Sequence, residues 1–160
     1  MKGHGLKDSI QCTQDTSRTW QTSFNHYGIT LYLRENNQWS YLEDKVSNTQ
    51  CWSRGNAFKI NEYTDHLDAN SLNRLWGKDE QKDLSNITHT LTGHFTLIRL
   101  KIGTHLSVEF CSDRVRSFPL FYALEGNNLW ISDDLLWLKD QLKASFHLKA
   151  AITLWRTAQL

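Results

Sequence analysis

Four short runs between residues 94 and 132 carry apolar side chains at nearly every second position, and such a chain must pair into sheet to bury them. In the first, Phe95, Leu97 and Ile98 lead into Leu100 and Ile102. After a turn at Gly103-Thr104, Leu106, Val108 and Phe110 share one face of the second. A polar stretch over residues 112–117 separates these from Pro119-Leu120-Phe121-Tyr122-Ala123, and Glu125-Gly126-Asn127-Asn128 then reverses the chain into Leu129-Trp130-Ile131-Ser132. Gly and Asn tolerate the positive φ of a tight hairpin turn, and the single proline sits at a strand start, where a missing N–H costs little. The pattern predicts four adjacent antiparallel strands.

Upstream the signals are shorter. Residues 1–18 are polar and without a clear period, with at most a short strand at Ile10-Gln11-Cys12. Residues 28–33 form a strand rich in β-branched and aromatic types, residues 34–38 a turn, and residues 39–42 the return strand. Cys51-Trp52 and residues 57–60 read as two short strands interrupted by Arg54-Gly55-Asn56. Asp68 is placed to N-cap a helix over residues 69–76, with Gly77 closing it, and residues 79–87 suggest a second short helix. Beyond the hairpins, Ser132-Asp133-Asp134 precedes an amphipathic helix over residues 135–142, and Leu148, Ile152 and Trp155 share a helical stripe in residues 145–160.

Composition bounds the function. A chain of 160 residues suits one domain, and a net charge of +1 with 22% charged residues argues against nucleic acid or an acidic membrane surface as partner. No apolar run is long enough to cross a bilayer, and Met1-Lys2-Gly3-His4-Gly5 lacks the apolar core of a signal peptide. Cys12, Cys51 and Cys111 are odd in number and widely spread, which indicates neither a disulfide framework nor a zinc site and suits a reduced cytoplasmic protein. The seven scattered tryptophans read as packing residues before they read as a stacking platform.

The order of Gly93-His94-Phe95, Asp113-Arg114, Pro119-Leu120-Phe121-Tyr122 and Leu129-Trp130-Ile131-Ser132-Asp133 resembles the amidotransferase domains of asparagine synthetases, in a diverged branch that includes lasso-peptide cyclases. The likeness covers residues 84–160 best. It implies an α+β fold of two stacked antiparallel sheets flanked by helices, the αββα sandwich of Ntn hydrolases. It further implies a loose segment at residues 1–18, an amidotransferase-like domain at 19–145, and a helix at 146–160 leading toward an ATP- and magnesium-dependent synthetase domain. That downstream domain is the expected partner, with a homodimer as a second possibility. No cofactor is expected in this chain, since the synthetase nucleotide loop is absent from it. Gly93, Asp113, Arg114 and Pro119 are assigned structural roles, with Asp113-Arg114 an ion pair or turn lock.

The chemistry of the resembled family is missing. Its active members open with a cysteine whose α-amine is the base for thiol attack on the glutamine amide. Here Lys2 follows Met1, Tyr27 precedes the only Gly28-Ile29 pair, and Cys12 becomes terminal only after cleavage behind Gln11. The Asn-Gly-Glu turn that clamps glutamine in the family has its nearest match in Asn61-Glu62, without the glycine, and its arginine loop an echo in Arg54. His89 and His94 make no two-histidine metal site without a third ligand, and helix capping accounts for Asp133-Asp134 better than a catalytic carboxylate pair. The reading is a degenerate, non-hydrolysing amidotransferase-like domain. Its rivals are a glutaminase using a processed Cys12 and a tryptophan-rich binding module.

Overall fold

The computed structural model describes residues 19–24, 27–60, 62–78 and 89–143. Among the described residues, nine strands form two sheets. The first holds β1 (Thr19–Phe24), β2 (Tyr27–Tyr32), β9 (Asn128–Ser132) and β8 (Phe121–Glu125), in that order. The second runs β3 (Ser40–Asp44), β4 (Thr49–Lys59), β6 (Leu91–Ile102) and β7 (Leu106–Ser112). β5 (Glu62–Leu67) also pairs with β4, beyond the stretch that β3 occupies. Helix α1 (Ala69–Lys78) packs on the second sheet and α2 (Leu135–Gln141) on the first, so the described chain is a mixed α+β fold.

The alternation of side chains builds two cores. Ile29, Leu31 and Ile131 of the first sheet meet Trp52, Ile98, Leu100 and Ile102 of the second, with Trp20 and Trp39 closing the cluster. On the other face of the second sheet, Cys51, Ala57, Phe95 and Leu97 pack with Leu72 of α1. β6 lies between these cores, so both of its faces are buried from Phe95 to Leu100 and its sequence is apolar beyond strict alternation. On the outer face of the first sheet, Trp137 of α2 stacks on Tyr32 at 4.2 Å between centroids.

All four expected strands exist, but they are not four neighbours. β6 and β7 form a hairpin in the second sheet, while β8 and β9 form one in the first. The polar stretch before β8 carries the chain from sheet to sheet, and β8 begins at Phe121, two residues after Pro119. For the same reason the strand after residues 34–38 does not return beside β2: it is β3, in the opposite sheet. Nor is the first sheet purely antiparallel, because β2 and β9 pair in parallel. Each belongs to its own antiparallel hairpin, and the hairpins join only after the whole second sheet intervenes in sequence.

Two smaller expectations also change. β4 is one continuous strand, with Gly55 at φ +90° inside an unbroken register against β6. Helix α1 starts on its cap, with Ser71 N donating to Asp68 Oδ1 at 2.8 Å, but continues through Gly77 to Lys78. The segments expected at residues 1–18, 79–87 and 145–160 lie outside the described residues.

The adjacent aspartates after β9 divide their work. Asp134 caps α2, accepting from Leu136 N at 2.9 Å and Trp137 N at 3.1 Å. Asp133 points inward, 2% exposed, and does not cap. Its carboxylate accepts from Arg34 N at 2.9 Å, Trp39 Nε1 at 2.9 Å and Asn37 Nδ2. The Arg34 guanidinium donates to its backbone oxygen at 3.2 Å. This bundle ties the end of β9 to the chain's passage from β2 to β3. Asp133→Ala strands these donors without an acceptor and is expected to lower unfolding free energy by about 3–4 kcal/mol. Asp134→Ala removes only a cap and should cost about 1 kcal/mol; urea unfolding of both variants checks the contrast.

Candidate functional site

Along the inner face of the second sheet, apolar pairing gives way to polar pairing at one end. Trp52 opposes Ile98 in the core, next Arg54 opposes Thr96, and then Asn56 opposes His94. The segment between β7 and β8 folds over this polar end as a lip. Asp113 organises it: its carboxylate accepts from Phe95 N at 3.0 Å and Val115 N at 2.8 Å, with longer contacts to Ser117 N at 3.3 and 3.4 Å. Its own N–H donates to Phe95 O at 2.9 Å. Asp113 is therefore a turn lock made of backbone donors, while Arg114 beside it is exposed and makes no ion pair with it.

The rest of the lip is equally constrained. Thr96 Oγ1 donates to Phe118 O at 2.7 Å, and Ser117 Oγ lies 2.5 Å from His94 Nδ1. The Arg54 guanidinium carbon sits 4.3 Å from the centroid of the Phe118 ring. Burial holds the Arg54 pKa below its ordinary value; the charge of Asp133 opposes that shift and the charge of Arg34 adds to it. Two glycines permit this closeness. A Cβ on Gly55 would lie 2.0 Å from His94 O and 2.5 Å from Phe118 Cε2, and one on Gly93 would lie 2.6 Å from Asn56 O.

The residues singled out in the sequence do not form one clamp. Arg54 lies at the polar end of β4, whereas Glu62 opens β5 opposite Lys59, five residues or roughly 17 Å further along the strand. Asn61 and Cys12 lie outside the described residues. His89 and His94 join no cluster that could hold a metal: among the described residues no group of three or more His, Cys, Asp and Glu does so. What sequence reading missed is the pairing of His94 with Ser117, and the convergence of Arg34, Asn37 and Trp39 on Asp133. These partners are 23 and nearly 100 residues apart, and no local spacing announces them.

The other candidates turn inward. Trp20, Trp39 and Trp52 are buried in the inter-sheet core, and Trp130 and Trp137 contact each other at 6.2 Å on the outer face of the first sheet. A void of about 10 Å³ between Trp20, Leu31, Trp52, Ile98 and Ile131 is the size of one water. Cys51 and Cys111 lie on the same face of the second sheet, opposite Arg99 and Leu97 of the intervening β6. Two strand spacings and a two-residue stagger put them roughly 12 Å apart, too far for a disulfide. Burial pushes both thiols up to about 12.

Comparison with protein-family models, curated proteins and solved structures found no match.

Two outcomes follow from this geometry. Gly55→Ala meets backbone and ring atoms and forces a left-handed φ on a residue with a side chain, so a loss of about 3 kcal/mol or more is expected in thermal or urea unfolding. The buried thiols contribute to the alkaline pH dependence of stability. Their folded pKa of about 12 lies above the ordinary 9.0, so the stabilisation is fully present below pH 9 and is lost as pH rises toward 12. The unfolding free energy should fall there by up to ~1.4 kcal/mol per thiol per pH unit. Serine at both positions should flatten that fall.

Proposed function

We propose that the chain is a degenerate amidotransferase-like domain of an asparagine-synthetase-related ligase, a scaffold for a synthetase domain that does not hydrolyse glutamine. One observation carries the reading. Phe95 of the Gly93-His94-Phe95 landmark and Asp113 of the Asp113-Arg114 landmark exchange two hydrogen bonds, at 2.9 and 3.0 Å. Landmarks matched only by their order in sequence thus meet in space. Layering supports it as well: two packed sheets with a helix against the outer face of each is the αββα arrangement that the resemblance implies.

The same comparison supports a loss of hydrolysis. The Gly28-Ile29 pair that follows the nucleophile in the family lies in β2 beside β9, but the residue before it is Tyr27, the first of that strand, with β1 upstream. A tyrosine within the chain has neither a thiol nor a free α-amine. Arg54, the echo of the family's arginine loop, lies within the continuous strand β4 and not in a loop. The thiols of Cys51 and Cys111, raised to about 12, are no substitute nucleophiles. The inward packing of the core tryptophans favours this reading over a tryptophan-rich binding module.

Incubation of the full chain with glutamine, with ammonia measured continuously, tests the proposal. Wild type and Cys12→Ala are both expected to stay at the level of the protein-free blank. Ammonia release by wild type that disappears in Cys12→Ala would overturn the assignment in favour of a processed, active enzyme.

A further inference from the structure

The lip that closes the polar end of the sandwich carries a second kind of chemistry, one that does not rest on the amidotransferase reading. We propose that Ser117 is an activated hydroxyl with His94 as its base, forming a site that accepts an acyl group from an ester bearing a negative charge. A serine nucleophile requires a base within hydrogen-bond reach, and Oγ and Nδ1 are 2.5 Å apart. In the tautomer with its proton on Nε2, His94 accepts the hydroxyl proton at Nδ1.

Both partners are held. His94 sits in β6, opposite Asn56 of β4, and is exposed to incoming ligand. Ser117 is fixed from both sides, its N–H facing the Asp113 carboxylate and the next carbonyl, Phe118 O, bonded to Thr96. Arg116, immediately before it, has φ +55° and donates its N–H to Asp113 O at 3.1 Å, which closes the turn that leads into Ser117.

Arg54 defines the ligand class. Its guanidinium lies over the Phe118 ring and, among the described residues, has no carboxylate within ion-pair distance. A half-buried cation without such a partner favours an anionic group, either the ligand's own carboxylate or the oxyanion of an acyl intermediate. Esters are within reach of such a pair, whereas amides demand a fuller oxyanion pocket.

The step balances. Ser117 Oγ bonds to the acyl carbon as its proton passes to His94, and the carbonyl electron pair moves onto oxygen. Return of that pair expels the alkoxide, which takes the proton from His94. Water, with His94 again as base, releases the acid and restores the serine.

The full chain treated with excess diisopropyl fluorophosphate tests the activated hydroxyl directly: the Oγ–P bond forms, fluoride leaves with the P–F electron pair, and the hydroxyl proton passes through His94 to solvent. Intact mass and peptide mapping are expected to show one adduct, at Ser117, absent from Ser117→Ala and formed at least tenfold more slowly in His94→Gln. The adduct should also fail to form in denaturing urea, a control that needs no variant to fold. No adduct on the native chain, an adduct only elsewhere, or an unchanged rate in His94→Gln overturns the proposal.

Discussion

A buried carboxylate has to be saturated with donors, and the two most deeply engaged here sit where the chain changes sheet. It leaves the first sheet after β2 and returns to it before β8. Asp133 holds the first passage by taking the backbone of Arg34 and the side chains of Asn37 and Trp39. Asp113 holds the second by taking the backbone of Phe95 and Val115, with Ser117 at longer range. Each replaces the water that a carboxylate would otherwise keep with N–H groups that have no strand partner at a crossing. Without these carboxylates the crossings would carry unpaired donors at the edge of a dry core, and the two hairpins of the first sheet would lose the link that brings β2 beside β9.

The local part of this design is legible in the sequence and the long-range part is not. The hairpin at Gly126 and the caps at Asp68 and Asp134 rest on residues within a few positions of one another, and each is found where its chemistry placed it. Sheet membership is a different matter. Alternation in Phe95-Leu97 and in Leu129-Ile131 says that each segment is a strand but not which sheet it joins, so four consecutive strands looked like neighbours. Asp133 shows the limit most sharply. Next to Asp134 it reads as one half of a cap, yet in the link between β9 and α2 the two side chains turn apart, one to the helix N–H groups and the other into the core. The tryptophans lie between these cases: their number points to packing, but only the tertiary structure shows Trp39 donating to Asp133 while the buried indole N–H groups of Trp52 and Trp130 find no partner among the described residues.

Gly55 shows how the site depends on the fold beneath it. At Gly55 of β4 the backbone of β6 and the Phe118 ring press on the same spot from two directions. That crowding brings Arg54 over Phe118, which in turn fixes the residue following Ser117. The polar end of the sandwich is thus a consequence of close backbone approach as much as of polar sequence.

Arg116 is the left-handed residue of the lip, at φ +55°. A left-handed residue with a side chain costs on the order of 1 kcal/mol, and glycine at the same place would remove most of that cost. Arg116 N donates to Asp113 O at 3.1 Å and closes the turn there, while Asp113 fixes the start of the lip and Thr96 its end. The strained residue stands between those two anchors, directly before the hydroxyl that meets His94. Anchors on both sides let the lip hold one conformation despite that cost, and one conformation is what a nucleophile–base pair requires.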